Sequence, residues 1–254
     1  MEDAVGVVEW QRNGRILVVR IEREERRNAI NLEVAEGLEA AFDLLEDDPD
    51  LWVGVLTGTR GIFSAGTDIR ERADLRMPHG GEYGLIRRPR NKPLIAAVEG
   101  YALGGGFELA LACDLIVAGR TAQFGLPETS RGLVASSGAL FRAPRALPVN
   151  VARELLITGR TLDADRAHHF GVVNTVAEPG RALDEAIVLA GRVCEASPVA
   201  VRASLSALRA LGAEIDSVGW KVTEEALGEV MSSDDFREGI EAFAERRRPV
   251  WRGR

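Results

Sequence analysis

Cysteine is scarce in this chain of 254 residues: Cys113 and Cys194 are the only two, and neither belongs to a C-x-x-C pair. That excludes a disulfide-stapled scaffold and removes zinc-ribbon and thioredoxin-like readings. Two buried, reduced thiols are expected instead. Histidine is nearly as rare, with only His79, His168 and His169. The last two are adjacent and cannot share a helix face, so no metal site is expected and all three are read as surface residues. Long apolar runs are missing too. The most apolar stretch, Leu94 to Ala118, carries Glu99, Glu108 and Asp114 and the triplet Gly104-Gly105-Gly106. Three carboxylates there argue against a membrane helix. The first twenty residues hold Glu2, Asp3 and Glu9 and no apolar core, so no signal peptide is expected. Basic residues number 32 against 39 acidic ones, a net charge of −7. An acidic balance repels phosphate backbones, which leaves room only for a local basic patch. The expectation is a cytoplasmic protein with neither nucleic acid nor membrane as partner.

What is present is globular. Hydrophobic residues make up 46% and charged residues 28%, near the average for folded domains. The length allows one large domain, or one with an appendage. Val5–Glu9 and Ile16–Ile21 read as strands around Asn13-Gly14, a hairpin signal. Ala35, Leu38, Phe42 and Leu45 recur at helical spacing behind Asn31, a candidate N-cap, and the helix should end near Asp48-Pro49. Trp52–Thr57, Leu94–Val98 and Leu115–Ala118 read as buried strands. A helix is expected over about 106–113, and a short strand over Val172–Val176. Residues 70–92 are polar and broken, a variable loop or short helix. Residues 199–246 read as wholly helical, with a boundary near Ser197-Pro198. Strands alternating with helices give an α/β class with a mostly parallel sheet.

The informative segment is Gly100-Tyr101-Ala102-Leu103-Gly104-Gly105-Gly106-Phe107-Glu108. Glycines between a strand and a helix let backbone approach a ligand closely. The helix start adds unpaired N–H groups and a positive dipole end. No lysine follows the glycines and no G-x-G-x-x-G occurs, so triphosphate and nicotinamide loops do not fit. Tight helix–strand packing explains the glycines equally well on this evidence. Glu108, among Phe107, Leu109 and Ala110, is costly to bury unless paired or used; its other reading is a solvent-facing acid at a helix start. Glu128 lies on a second shaped turn, Gly125-Leu126-Pro127-Glu128. Two such acids near each other can divide acid and base roles around one water. A third loop, Phe63-Ser64-Ala65-Gly66-Thr67-Asp68-Ile69, offers another backbone N–H for an oxyanion hole. It is not a G-x-S-x-G elbow.

These strings, with Lys92-Pro93-Leu94-Ile95-Ala96-Ala97-Val98-Glu99 ahead of the glycines and Gln123-Phe124-Gly125-Leu126-Pro127-Glu128 after them, resemble the crotonase (enoyl-CoA hydratase/isomerase) superfamily. Arg26-Arg27-Asn28-Ala29-Ile30-Asn31 resembles its early CoA-binding motif, and Phe243–Trp251 its usual ending. The likeness covers nearly the whole chain and is closest to the enoyl-CoA hydratases. It implies a spiral of ββα repeats over residues 1–197 holding the CoA-ester site, and a helical oligomerisation region over 198–254. It implies backbone N–H groups of Thr67 and Gly105 as the oxyanion hole, with Glu108 and Glu128 as the catalytic acids. Asn28, Ala29, Ala65 and Ile69 would border the CoA adenine, and Arg23, Arg26 and Arg27 its phosphates. It further implies hydration of a 2-enoyl-CoA to the 3-hydroxyacyl-CoA in acyl-CoA metabolism. CoA is then part of the substrate and no cofactor is needed. Carnitinyl-CoA dehydratase-like or isomerase activity is the alternative, and a non-catalytic CoA-ester or RNA binder a remoter one. Homotrimers, or dimers of trimers, are implied. Two departures stand out. Thr67 replaces the usual alanine or glycine, and Val134-Ala135-Ser136-Ser137-Gly138 replaces a glycine-rich run beside the acyl group.

Overall fold

The computed structural model describes residues 2–59, 61–71 and 73–254. Three strands open the chain: β1 (Glu2–Val5), β2 (Val8–Asn13) and β3 (Ile16–Ile21), paired antiparallel. The expected strand Val5–Glu9 is therefore interrupted. Gly6 adopts φ +60°, and the chain reverses there between β1 and β2. The hairpin at Asn13-Gly14 forms as expected, with Gly14 at φ +58°.

Along β3 the pleat sorts side chains with period two. Leu17, Val19 and Ile21 join one buried cluster, and Ile16 and Val18 join another. The first cluster lies under α1 (Leu32–Asp47), whose Leu38, Phe42 and Leu45 are fully buried. Asn31 caps α1, its side chain accepting from Val34 N–H at 3.1 Å. The second cluster lies under α6 (Ala182–Glu195), which presents Ala182, Ala186 and Ala190 at four-residue spacing. Such small residues let the helix lie close on the sheet.

After α1 come β4 (Val53–Gly58), a two-stranded ribbon of β5 (Arg76–Met77) and β6 (Gly81–Glu82), then β7 (Leu94–Val98) and β8 (Tyr101–Leu103). The described residues of 70–92 thus hold a tiny hairpin and turns rather than a helix. Next are α2 (Gly105–Ala112), β9 (Leu115–Gly119), β10 (Gln123–Gly125), α3 (Ala139–Ala146), α4 (Val149–Thr158), β11 (Thr161–Asp163), α5 (Ala164–His169) and β12 (Thr175–Ala177). The last strand begins later than the expected Val172, because Val172 and Val173 turn inward into the core.

The main sheet has the order β1-β2-β3-β4-β7-β9-β12, parallel from β3 onward. A second sheet has the order β11-β10-β8. Consecutive strands divide between the two: β7 and β9 go to the first, β8 and β10 to the second. Each such pair followed by helical structure is one turn of a ββα spiral, the α/β fold expected. Gly100 makes one corner at φ +58°; a Cβ there would meet Gly61 O at 2.0 Å.

The chain closes with α7 (Pro198–Ser232) and α8 (Asp234–Glu245). Ser197 caps the first and Ser233 the second. No helix among the described residues is long and apolar enough to cross a membrane.

Candidate active site

Strand register brings the motifs together. Gly125 of β10 stands beside Leu103 of β8 in parallel pairing, so the two chains leave the sheet side by side. One enters α2 through Gly104, and the other turns through Pro127 into a short 3-10 helix, Glu128–Arg131. Ser64 pairs with Ala102 on the other edge of β8. All three loops therefore meet at one end of the small sheet.

The loop before α1 clamps the third of them. Ala65 N–H donates to Arg27 O, Ile30 N–H to Gly66 O and Asp68 N–H to Ile30 O. Phe63 N–H donates to Glu99 O, Ser64 N–H to Tyr101 O, and Gly66 N–H to the Ser64 hydroxyl. Among the described residues, Thr67 has the one N–H from Phe63 to Asp68 without an acceptor. Buried backbone donors are otherwise almost always paired. Gly105 N–H is equally unspent among the described residues, since it opens α2 and the first bond of that turn runs from Glu108 N–H to Gly104 O. The two donors are close. A Cβ on Gly66 would stand 3.1 Å from Gly105 N and 2.5 Å from Leu103 O. Gly66, at φ +91°, permits that approach.

Glu108 is buried, 2% exposed, which removes the solvent-facing reading. One carboxylate oxygen accepts from Ser137 N–H at 2.7 Å and Ala139 N–H at 3.0 Å. Burial pushes its carboxyl up to about 7, against the opposing pull of these bonds and of Arg142. Glu128, half-buried, reaches towards Gly104, where a Cβ would lie 3.1 Å from its Oε1. Its Oε2 is buried without a partner among the described residues. Burial, and then the charge of Glu108, raise the Glu128 carboxyl to about 8. The site thus joins two unspent main-chain donors to two carboxyls of elevated pKa. Donors of this kind stabilise an oxyanion, and the carboxyls can move protons near neutral pH.

A cavity of about 410 Å³ opens from Thr67. Ala29, Ala65 and Ile69 line it, together with Arg26 and Arg27. Arg70, Arg131 and Phe243 also line it and were not singled out from the sequence. Arg131 lies on the 3-10 helix after Glu128 and stacks 5.1 Å from the Phe243 ring. Arg26, Arg27, Arg70 and Arg131 outnumber Glu25 and Asp68 in its lining, a local basic excess of the kind an acidic chain needs for a phosphate-bearing ligand. A larger cavity of about 700 Å³ lies elsewhere, against α7.

Two expected binding residues differ. Arg23 is buried and bonds Asp68 at 2.8 Å and Glu71 at 2.7 Å, so its guanidinium is not free for phosphate. The Asn28 side chain is fully buried and faces its own loop. It accepts from Arg23 N–H and donates to Ile62 O. With φ +54° it shapes the loop instead of lining the cavity. All three histidines are exposed. His79 lies beside Glu39 and Asp43, close enough for a shared cation, but both acids already bond Arg88. Cys113 and Cys194 are free and half-buried.

Sequence reasoning missed Tyr83. Its phenol pairs with the Thr67 hydroxyl at 2.7 Å and the Ser137 hydroxyl at 3.0 Å. The available signal was Gly80-Gly81-Glu82-Tyr83-Gly84, whose glycines force tight turns around one aromatic; Gly81 and Gly84 have φ +64° and +73°.

The profile of the enoyl-CoA hydratase/isomerase family matches residues 11–254. The chain is 37% identical over 247 residues to the mevalonyl-coenzyme A hydratase of Aspergillus fumigatus, covering 93% of this chain and 91% of that one. It is 39% identical over 254 residues to the carnitinyl-CoA dehydratase of Salmonella paratyphi B, covering 96% and 97%. A crystal structure of an enoyl-CoA hydratase from Mycobacterium tuberculosis superposes with TM-score 0.79 at 46% identity, covering 98% of this chain and 100% of that one. Fold, motif and likeness along nearly the whole length agree, and the chain belongs to the enoyl-CoA hydratase/isomerase family.

Proposed function

We propose that the protein adds water across the 2,3-double bond of an enoyl-CoA thioester, or removes it in reverse. The single observation that carries this reading is the pair of buried Glu108 and half-buried Glu128, both raised in pKa, beside unspent N–H groups of Thr67 and Gly105. The thioester oxygen would accept from those two amides. Glu108, favoured as carboxylate by two backbone donors, would take a proton from water as its oxygen bonds the β carbon. The π electrons pass to the thioester oxygen as an enolate. Glu128, favoured as the acid by its unpartnered oxygen, would deliver its proton to the α carbon. The pair then resets by exchanging protons with solvent. The cavity lined by Ala29, Ala65 and Ile69 would take the adenine, with Arg26 and Arg27 near the phosphates.

Dehydration of a 3-hydroxyacyl-CoA uses the same groups in reverse, so the names of the relatives do not separate the two directions. Isomerisation of a 3-enoyl-CoA is the second reading. It needs one proton-carrying acid, and the presence of two favours water chemistry. A non-catalytic or RNA-binding role has less support, given the two retained acids and the net charge of −7. Incubation of a 2-enoyl-CoA and a 3-enoyl-CoA in heavy-oxygen water tests the proposal. Label at the β carbon is the expected result. Double-bond migration without label would contradict it.

A further inference from the structure

Three hydroxyls converge where the acyl carbons would lie. Tyr83 is 5% exposed, and its oxygen lies 2.8 Å from where a Cβ on Gly105 would stand. Thr67 carries the other oxyanion donor and pairs with Tyr83 at 2.7 Å. Ser137 pairs with Tyr83 at 3.0 Å. Its backbone N–H donates to the Glu108 carboxylate at 2.7 Å. The cluster therefore spans the gap from the oxyanion donors to the base. A wall meant for a plain alkyl chain would be apolar there.

The proton count fixes what this wall accepts. A serine, a threonine and a tyrosine bring one hydroxyl proton each. Two bonds use two of them: Ser137 donates to Tyr83, and Thr67 and Tyr83 share one proton. One hydroxyl proton is left over, together with acceptor lone pairs. A buried donor or acceptor without a partner is unfavourable. A substrate hydroxyl close to the double bond, which both donates and accepts, would satisfy them.

We propose that Tyr83, with Thr67 and Ser137, forms a polar acyl subsite selecting short 2-enoyl-CoA esters that carry a hydroxyl near the reacting carbons over their unsubstituted counterparts. This rests on the hydratase reading above, and the test separates the two. Tyr83 has φ +59°, and phenylalanine tolerates that backbone no worse, so Tyr83→Phe removes the oxygen alone.

Wild type, Tyr83→Phe, Thr67→Val and Thr67→Ser are assayed with 2-butenoyl-CoA and 4-hydroxy-2-butenoyl-CoA. The wild type is expected to prefer the hydroxylated ester by about tenfold or more in kcat/KM. That ratio falls towards one in Tyr83→Phe and Thr67→Val and survives in Thr67→Ser. A wild-type ratio at or below one overturns the subsite. So does an equal slowing of both esters by Tyr83→Phe, which marks a merely structural role. Calorimetric binding of butanoyl-CoA and 4-hydroxybutanoyl-CoA reads the same preference without turnover. Preference in binding with no hydration of either enoyl ester supports the subsite and overturns the hydratase reading. Turnover without preference does the reverse.

Discussion

Glu108 and Glu128 carry one side chain in two environments, and their hydrogen bonds separate them. Two backbone donors hold Glu108 towards the carboxylate, while Glu128 keeps an unpartnered oxygen. With Glu108 near 7 and Glu128 near 8, the form with one proton between them peaks between those values. The pH profile of kcat/KM for hydration is expected to be bell-shaped, with its maximum there; a flat profile across this range contradicts the assignment. The same shifts bear on stability. Both folded pKa values exceed the ordinary 4.5, so the native state binds more protons than the unfolded chain at intermediate pH. The contribution is complete below about 4.5 and is lost as pH rises through 7 and 8. Glu128→Gln removes a charge that is unwelcome at high pH. Its melting temperature should exceed that of wild type by about 2 °C or more near pH 9 and match it near pH 5. Equal melting temperatures at both would count against burial of the charged form. The placement of both acids beside glycine turns was legible in the sequence. The fate of Arg23 and Asn28 was not, because one surface-type sequence can either reach a ligand or turn back on its own loop.

At the scale of elements, glycine contacts set the spacing of the two amides proposed as oxyanion donors. Gly66 lies against Leu103 O and Gly105 N. An alanine there adds a Cβ 2.5 Å from that carbonyl at φ +91°, so backbone must move. Gly66→Ala should lower kcat by about a hundredfold, the usual effect of losing one oxyanion donor, with a smaller change in binding of a saturated acyl-CoA by calorimetry. An unchanged kcat would mean that the loop does not place the donor. Arg23 supports the same loop from below. Burial alone would raise the Asp68 carboxyl, and the Arg23 bond and charge, with Arg70 N–H, hold it below the usual range. Arg23→Ala leaves that carboxylate buried and unpaired, a loss of about 3–5 kcal/mol measurable by denaturant titration. A loss well under 1 kcal/mol would show that solvent already reaches the pair. The strands and α1 were legible because alternation and the Asn31 cap are local signals. The hairpin within 70–92 was not. Its strands are two residues long, and the turns around Tyr83 are fixed by packing against Thr67 and Ser137.

Across the whole molecule, α7 is the anomaly. Of its 35 residues only Gly212, Gly219 and Thr223 are buried, while Leu208, Leu211, Ile215, Val218 and Val222 are exposed. An apolar row of this kind marks an interaction surface. Other copies of the chain, as a homotrimer or dimer of trimers, are the occupants we propose. Light scattering at micromolar concentration should give a multiple of three chains, and Leu211→Asp with Val218→Asp should dissociate it; a wild-type monomer contradicts the assembly. The sequence showed those apolar positions but not which way they faced, since helical spacing serves a core and an interface alike. The most direct test of the whole account is the rate of 2-enoyl-CoA hydration by Glu108→Gln and by Glu128→Gln. Each should fall by about a hundredfold or more while saturated acyl-CoA still binds. Hydration at the wild-type rate in either variant would contradict the two-carboxyl mechanism.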